Sequence, residues 1–389
     1  MSTESKKSGP RFALGVSVVV ILALALLAWL HHARRVSNRV LVTNVGNDAP
    51  RPILSNNSPI VTNAPRLASV RLEEMYASAK TAPDAQAARQ RLAELRAAFF
   101  AMPTNAASAA IRQFLDSKAD APTHLGFRLA ATGWLDEAPT LRTFLLDELA
   151  RIDPTAAADY SKIVLASMDS ADEWAVALRN LAQGDSSPAG RGLLQQKANE
   201  MLRQEAWQQN PSVGFLEAFD VSVFLGGTNL MPALSDLVRR QDNSAVAHAA
   251  YLALDRLVIN DPALTLGTLA AAPDLMQGRE LTRANYFARA DVRDPQQRQV
   301  LESYLLNPQI GPAELNTFAG IYPNANYMIS RNLLTPSPTP DHASLVQRDA
   351  ESLRVLQDWL ADPRFAKVRP DLEKARARLD GFVRQAKGN

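Results

Sequence analysis

The most persistent pattern in this 389-residue chain is a helical spacing of apolar residues from residue 67 onward. Apolar side chains recur three and four positions apart, as in helices that bury one face. The longest stripe, residues 246–258, keeps one face apolar over several turns. The alternation of apolar and polar residues that a half-buried strand needs is not sustained anywhere in the sequence. We therefore predict an all-α fold for this part of the chain.

The breaks between the predicted helices share a dipeptide, Asp or Asn followed by Pro. The Asp or Asn side chain accepts hydrogen bonds from free N–H groups of a first helical turn, and proline fits the first helical position because an N–H there has no partner within the helix. We expect each dipeptide to begin a helix. The five dipeptides are Asp153-Pro154, Asn210-Pro211, Asp261-Pro262, Asp294-Pro295 and Asp362-Pro363.

Two stretches, residues 141–166 and 245–271, place such a dipeptide between two helical patterns. This unit resembles the helical hairpin of HEAT-like α-solenoids, and the resemblance covers roughly residues 100–275. It implies helical pairs stacked in sequence order. Because the prolines at 154, 211, 262 and 295 are unevenly spaced, we expect an irregular helical array, either a HEAT-like α-solenoid or a helical bundle.

A different pattern precedes the helical domain. Residues 12–30 are mostly apolar and carry no charge. As a helix they would span about 28 Å, close to the thickness of a bilayer's hydrocarbon core. We predict a single transmembrane helix here, and a cleaved signal peptide is the alternative. The residues taken to form the membrane anchor are Phe12, Val20, Leu26, Trp29 and Leu30.

These patterns divide the chain into six parts. The linker, residues 31–66, has recurrent prolines and no helical period, which is typical of an extended tether. In the alternative, residues 40–45 form an edge strand that captures a partner. The parts are a basic tail (1–11), the transmembrane helix (12–30), a Pro/Asn-rich juxtamembrane linker (31–66), a helical-repeat-like domain (67–306), a connection containing Pro, Asn and Tyr (307–342) and a C-terminal helical pair (343–389).

Charge is unevenly distributed along the chain. Residues 1–66 have a net charge of +6, and residues 67–389 have a net charge of −4. A domain at −4 has no general attraction for phosphate backbones, so we predict no nucleic-acid partner. Basic residues flank both ends of residues 12–30, and a short basic N-terminal tail usually stays in the cytoplasm. We expect a single-pass protein of a bacterial inner membrane with its C-terminal domain in the periplasm.

Motifs for catalysis and for metal binding are missing from the sequence. The chain has no cysteine, which excludes disulfides and thiolate sites. His124, His248 and His342 each lack a second ligand at helical or loop spacing, and His248, within an alanine-rich helix, is expected to be structural. The glycine doublet Gly226-Gly227 is typical of a helix end. We predict no catalytic residue, no cofactor and no metal.

The connection at 307–342 combines a short predicted helix, a loop with Asn and Tyr residues and an exit with three spaced prolines. Tyr322, Tyr327 and Met328 form a candidate partner contact, because aromatic and methionine side chains are enriched at interfaces. In the alternative, these side chains pack inward and fix the loop.

The sequence favours a membrane-anchored, non-enzymatic helical scaffold or adaptor that presents a protein-interaction surface near the membrane. Its partners would be the membrane, through the N-terminal helix, and a protein. Two alternatives stay open. One is an envelope enzyme whose site is assembled from distant carboxylates; the other is a membrane-tethered folding helper, since the layout of one span, a proline-rich linker and helices resembles that of lipase foldases.

Overall fold

The structure, a computed structural model, describes residues 72–74, 76–77, 84–328, 330–339 and 341–387. None of the helices in these ranges is long and apolar enough to cross a bilayer. The predictions for the basic tail 1–11, the transmembrane helix 12–30 and the linker 31–66 fall outside the described residues. The same holds for the five anchor residues Phe12, Val20, Leu26, Trp29 and Leu30.

The described part of the chain is mostly helical, which confirms the predicted all-α fold class. Two short strands, β1 (Arg128–Leu129) and β2 (Leu135–Glu137), pair as an antiparallel hairpin. The helices are α1 (Ala85–Phe100), α2 (Thr104–Asp116), α3 (Leu141–Ile152), α4 (Pro154–Val164), α5 (Ala171–Gly184), α6 (Pro188–Leu202), α7 (Glu205–Gln209), α8 (Val213–Glu217), α9 (Asp220–Leu225), α10 (Met231–Val238), α11 (Ser244–Asn260), α12 (Pro262–Ala271), α13 (Glu280–Phe287), α14 (Pro295–Leu306), α15 (Pro312–Ile321), α16 (His342–Ala361) and α17 (Arg369–Lys387), with 3-10 helices at Pro273–Met276 and Pro363–Val368.

Three of the five Asp/Asn-Pro dipeptides begin α-helices, as predicted. Asp153, Asp261 and Asp294 cap α4, α12 and α14, each with proline in the first turn. The Asp153 carboxylate accepts a hydrogen bond from the Ala156 backbone N–H at 3.0 Å. Asp362 caps a 3-10 helix in the same way. The local capping chemistry therefore accounts for these four helix starts.

The prediction for Asn210-Pro211 is wrong. Asn210 ends α7, and the next helix, α8, begins at Val213 with the Ser212 hydroxyl as its cap. The reason is a tertiary contact, because Asp172 on α5 accepts hydrogen bonds from the Ser212 hydroxyl at 2.6 Å and from the Gly214 N–H at 3.0 Å. These bonds hold the first turn of α8 against α5.

The helices pack mainly on helices that are close to them in sequence. α5 packs on α3, α4 and α8; α8 and α9 pack on α11; and α16 packs on α17. The contacts bury a continuous apolar core that extends from α1 to α17. Alanine is frequent in this core, which lets neighbouring helix backbones approach closely.

A buried ion pair fastens the β-hairpin to the helices. Asp147 on α3 and Arg179 on α5 have no exposed side-chain surface, and their charged atoms lie 2.5 Å apart. Asp147 also accepts from the Leu135 N–H at 3.2 Å, and Arg179 donates to the Gly133 carbonyl at 3.1 Å. A buried charge is costly unless it is paired and hydrogen-bonded, and both conditions are met here.

A non-helical stretch between α15 and α16, residues 322–328 and 330–339, is called here the connecting segment. It leaves the end of α15, where the Asn324 N–H donates to the Ala288 carbonyl at 2.7 Å. It reaches the hairpin, where Arg331 donates to the Leu129 carbonyl at 3.0 Å. The chain then turns back toward α16. The connecting segment therefore joins parts of the domain that are about 200 residues apart in sequence.

Candidate functional site

A pocket of about 260 Å³ lies between α8–α9, α11 and the connecting segment. Its walls are mainly apolar, and its charged groups come from three separate parts of the chain. The apolar residues that shape it include Leu216, Phe219, Val223, Leu252, Ile259 and Met328. Apolar pockets with a few convergent polar groups are the usual form of binding sites in proteins.

One side of the pocket is closed by Asp220, the first residue of α9. Its carboxylate accepts hydrogen bonds from the backbone N–H groups of Leu334 at 2.6 Å and Thr335 at 2.9 Å. Arg256 on α11 pairs with the same carboxylate at 2.6 Å and donates to the Pro336 carbonyl at 3.3 Å. This pair therefore ties the connecting segment to two helices. Both carboxylate oxygens of Asp220 already accept hydrogen bonds within the protein.

A second ion pair lies nearby on α11. The Asp255 carboxylate is held by both sides of the Arg289 guanidinium, with one bond at 2.8 Å. Arg289 also donates to the Asn326 carbonyl at 2.8 Å and lies over the Tyr327 ring. Burial raises the pKa of Asp255, and the bonds from Arg289 oppose that rise. The second carboxylate at the pocket is thus also neutralised by an arginine.

Glu217, the last residue of α8, is the third carboxylate at the pocket. Burial raises its pKa to about 7, and repulsion by Asp220 adds to the rise, while Arg256 opposes it. Within the described ranges, the Glu217 carboxylate makes no hydrogen bond and no ion pair. The pocket therefore contains one acidic group whose charge the protein does not balance.

His248 lies at the edge of the pocket, one turn into α11. Its ring is exposed and stacks on Tyr251, with ring centroids 6.1 Å apart. We expected this histidine to be structural because its sequence neighbours are alanines. Its ring lies on the surface at the edge of the pocket, and the structural role stays a prediction.

The three residues of the predicted partner contact are separated by the fold. Tyr322 is completely buried, stacks on Phe318 and has its hydroxyl 3.4 Å from the Ser352 hydroxyl. Tyr327 is half-buried under Arg289, as described above. Met328 is half-exposed on the pocket wall. Only Tyr327 and Met328 can therefore contribute to a surface.

Sequence reasoning missed the groups that define the pocket. Glu217 and Asp220 are one helical turn apart, which is the only local signal that they lie together. Arg256 is 36 residues from Asp220, and Thr335 is 115 residues from it. No motif predicts contacts of this separation, because they depend on where the connecting segment docks.

In the part of the chain that the structure describes, no group of three or more His, Asp or Glu side chains is placed to hold a metal ion. No protein-family model matches the chain, and no curated protein or solved structure matches it.

Proposed function

We propose that this chain is a membrane-anchored, non-enzymatic scaffold that binds a protein partner at the pocket and its rim. Residues 12–30 would anchor it, and a HEAT-like array of helices would present the binding surface. The observation that carries the proposal is an apolar pocket with an exposed apolar side chain, Met328, on its wall; 50% of the Met328 surface is exposed. Val213 and Phe224, with 51% and 38% of their surfaces exposed, lie on α8 and α9, the helices that form another wall. These three residues are called the rim.

The rim residues lie on the elements that form the pocket. Val213 lies one turn before Glu217 on α8, Phe224 follows the lining residue Val223 on α9, and Met328 lines the pocket itself. Exposed apolar residues grouped around a concavity mark interaction surfaces, since burying them against a partner is favourable. Methionine suits such a site because its flexible side chain adapts to a partner.

The charges at the pocket favour binding over catalysis. Paired-carboxylate chemistry needs two acids that are free to exchange protons. Two of the three carboxylates, Asp220 and Asp255, are held by arginines, which leaves Glu217 without a second acid. The envelope-enzyme alternative is therefore less well supported than the scaffold. The folding-helper alternative would use the same apolar surface and differs in its partner, an unfolded secreted protein.

The stacking of helices on near sequence neighbours supports the HEAT-like arrangement. In such arrays, each helical pair covers the apolar face of the next, and the exposed faces supply long binding surfaces. The net charge of −4 on residues 67–389 supports a protein partner over a nucleic acid.

Site-specific cross-linking tests the proposal. A photoreactive phenylalanine derivative replaces Met328 in the full-length chain, and cells are irradiated before their membranes are solubilised. We expect a defined protein adduct, identified by mass spectrometry. The purified adduct protein should bind the wild-type chain and should bind the Met328→Asp variant at least about tenfold more weakly, because a charge would then enter the apolar rim.

Leu264 provides the matched control, because it is also a half-exposed apolar residue, on α12. The photoreactive residue at this position should not give the same adduct. The proposal is wrong if position 328 gives no adduct, if both positions give the same one, or if the captured protein binds Met328→Asp as well as wild type.

A further inference from the structure

The pocket has a charge imbalance that indicates what it binds. Asp220 is balanced by Arg256, and Asp255 is balanced by Arg289. Arg331, which also lines the pocket, points to the hairpin, where it donates to the Leu129 carbonyl and lies 3.6 Å from the Asp136 carboxylate. Among the charged groups of the described pocket, Glu217 is left without a balancing charge.

The walls beside Glu217 are apolar. Leu216 and Phe219 flank it in sequence, and Leu252 and Met328 face the same space from α11 and the connecting segment. A ligand that fits must therefore carry an apolar stem and end in a group that a carboxylate favours. Lysine and arginine side chains have this form, since both bury an aliphatic stem while the charged head makes polar contacts.

We infer that the pocket receives a lysine or arginine side chain of the partner protein, with its stem between Leu252 and Met328 and its cationic head at Glu217. This inference rests on the proposed function and names the part of the partner that enters the pocket. The cation restores the charge balance that the fold leaves open. It also makes burial of the Glu217 carboxylate favourable, because a buried charge is tolerated when it is paired.

The charged and titratable groups that share the pocket with Glu217 are Asp220 on α9, His248, Asp255 and Arg256 on α11, and Arg331 on the connecting segment. Burial raises the pKa of Glu217 to about 7, so a cation that binds its charged form must displace a proton at lower pH. Affinity for a cationic group should rise as pH increases through this range, whereas affinity for an anionic group should fall.

The absence of cysteine allows a direct test in the full-length chain in detergent. In the Met328→Cys variant, the introduced thiol is the only one in the protein. It is equilibrated with disulfides of three thiols that share a five-carbon stem and end in an ammonium, a hydroxyl or a carboxylate. Mass spectrometry measures how much of each attaches. We expect the ammonium to be preferred over the hydroxyl by about tenfold at mildly basic pH, since a charge-assisted hydrogen bond contributes about this much.

Two variants and one control position assign the preference. Adding Glu217→Gln should abolish it, and adding Glu205→Gln, at an exposed position on α7 outside the pocket, should leave it unchanged. Leu264→Cys on α12 should show no preference for any of the three stems. Equal attachment of the ammonium and hydroxyl stems at position 328, a preference for the carboxylate, or a preference that survives Glu217→Gln in a protein with wild-type circular dichroism would overturn the inference.

The source of the cation is tested separately. Free cadaverine, which carries two ammonium groups on a five-carbon stem, should compete only at millimolar concentrations, because a side chain alone lacks the contacts of the partner's surface. Saturable binding of cadaverine at micromolar concentrations would overturn the assignment to a protein side chain. The ammonium preference without a cross-linked protein would reject the proposed function, and a cross-link without the preference would reject only this inference.

Discussion

Burial of the Glu217 carboxylate costs free energy, and no contact in the described part of the protein offsets that cost. Its carboxylate lies at the end of a short helix among apolar side chains, and its nearest charged neighbours, Asp220 and Arg256, are paired with each other. Folding therefore removes the carboxylate from water without supplying a partner, which disfavours its ionised form. Residues in this situation are often found at functional sites, since a ligand can supply the missing interaction.

The raised pKa of Glu217 predicts a pH-dependent effect on stability. Its pKa is 4.5 in the unfolded chain and about 7 in the folded protein, so the folded state binds the proton more tightly. The contribution of Glu217 is fully present below about 4.5 and is lost as pH rises through about 7. We expect Glu217→Gln to match wild type at low pH and to be more stable by about 1–2 kcal/mol above pH 7, a value reduced from the full shift because water reaches part of the side chain.

Urea unfolding of the full-length chain at several pH values measures this difference between variant and wild type. Glu205→Gln is the matched variant, because it makes the same change at an exposed position on α7 outside the pocket, and it should not reproduce the difference. If Glu217→Gln were equally or less stable than wild type at high pH, the burial assigned to the Glu217 carboxylate would be wrong.

At the scale of elements, the hairpin and the connecting segment are in close backbone contact at Gly133. This glycine has a φ of +80°, and a Cβ at this position would lie 2.6 Å from the backbone oxygen of Leu333. A side chain is therefore excluded both by the backbone conformation and by the approach of the connecting segment. Leu333 is completely buried beside it.

We predict that Gly133→Ala loosens the connecting segment. The left-handed conformation costs a non-glycine residue about 1–2 kcal/mol, and the clash with a backbone atom adds about 1–3 kcal/mol of overpacking. Limited trypsin digestion measures the effect, because Arg331 is exposed on the connecting segment and cleavage after it requires local opening.

Gly278 is the matched control, since its φ is +75° and nothing lies within 4 Å of the Cβ position. Gly278→Ala carries the cost of a positive φ without the clash. Cleavage after Arg331 should therefore be faster in Gly133→Ala than in Gly278→Ala. Equal cleavage rates in the two variants would show that the contact with Leu333 does not hold the segment.

The elements were predictable to the extent that their signals are local. Apolar stripes and Asp-Pro caps marked α3, α4, α11 and α12 within two residues of their observed bounds. The glycine doublet at 226–227 ends α9 with two positive φ angles, as predicted. The hairpin was missed because strands of two and three residues are too short to show alternation.

The candidate site was hidden from sequence reasoning for a related reason. Asp220 makes its bonds to residues 334 and 335, and Arg331 makes its bond to residue 129. Such contacts are set by the path of a non-helical segment, which follows no period. The sequence predicted the region of Tyr327 and Met328 as a partner contact. It could not show that Tyr322 is buried, because aromatic residues are common both in cores and at interfaces.

At the scale of the whole molecule, the connecting segment links helices that are far apart in sequence. Arrays whose helices contact only their near neighbours can open locally, since each unit is stabilised by the next. Here the segment between α15 and α16 is bonded to the hairpin before α3 and to α9. These bonds fix the positions of the pocket's three walls relative to one another. A pocket that is fixed before binding spends less free energy on ordering when a ligand binds.

The proposed anchor makes a prediction for the whole chain. In the double variant Val20→Arg/Leu26→Arg, two charges would enter the hydrocarbon core, at a cost of about 5 kcal/mol. We expect the wild-type chain to remain in the membrane pellet after carbonate extraction and the double variant to be released. Leu264→Arg, a charge added on exposed α12, should stay in the pellet. The anchor is contradicted if wild type is extracted, if both variants are retained, or if the intact mass of the purified protein shows that residues 1–30 have been removed.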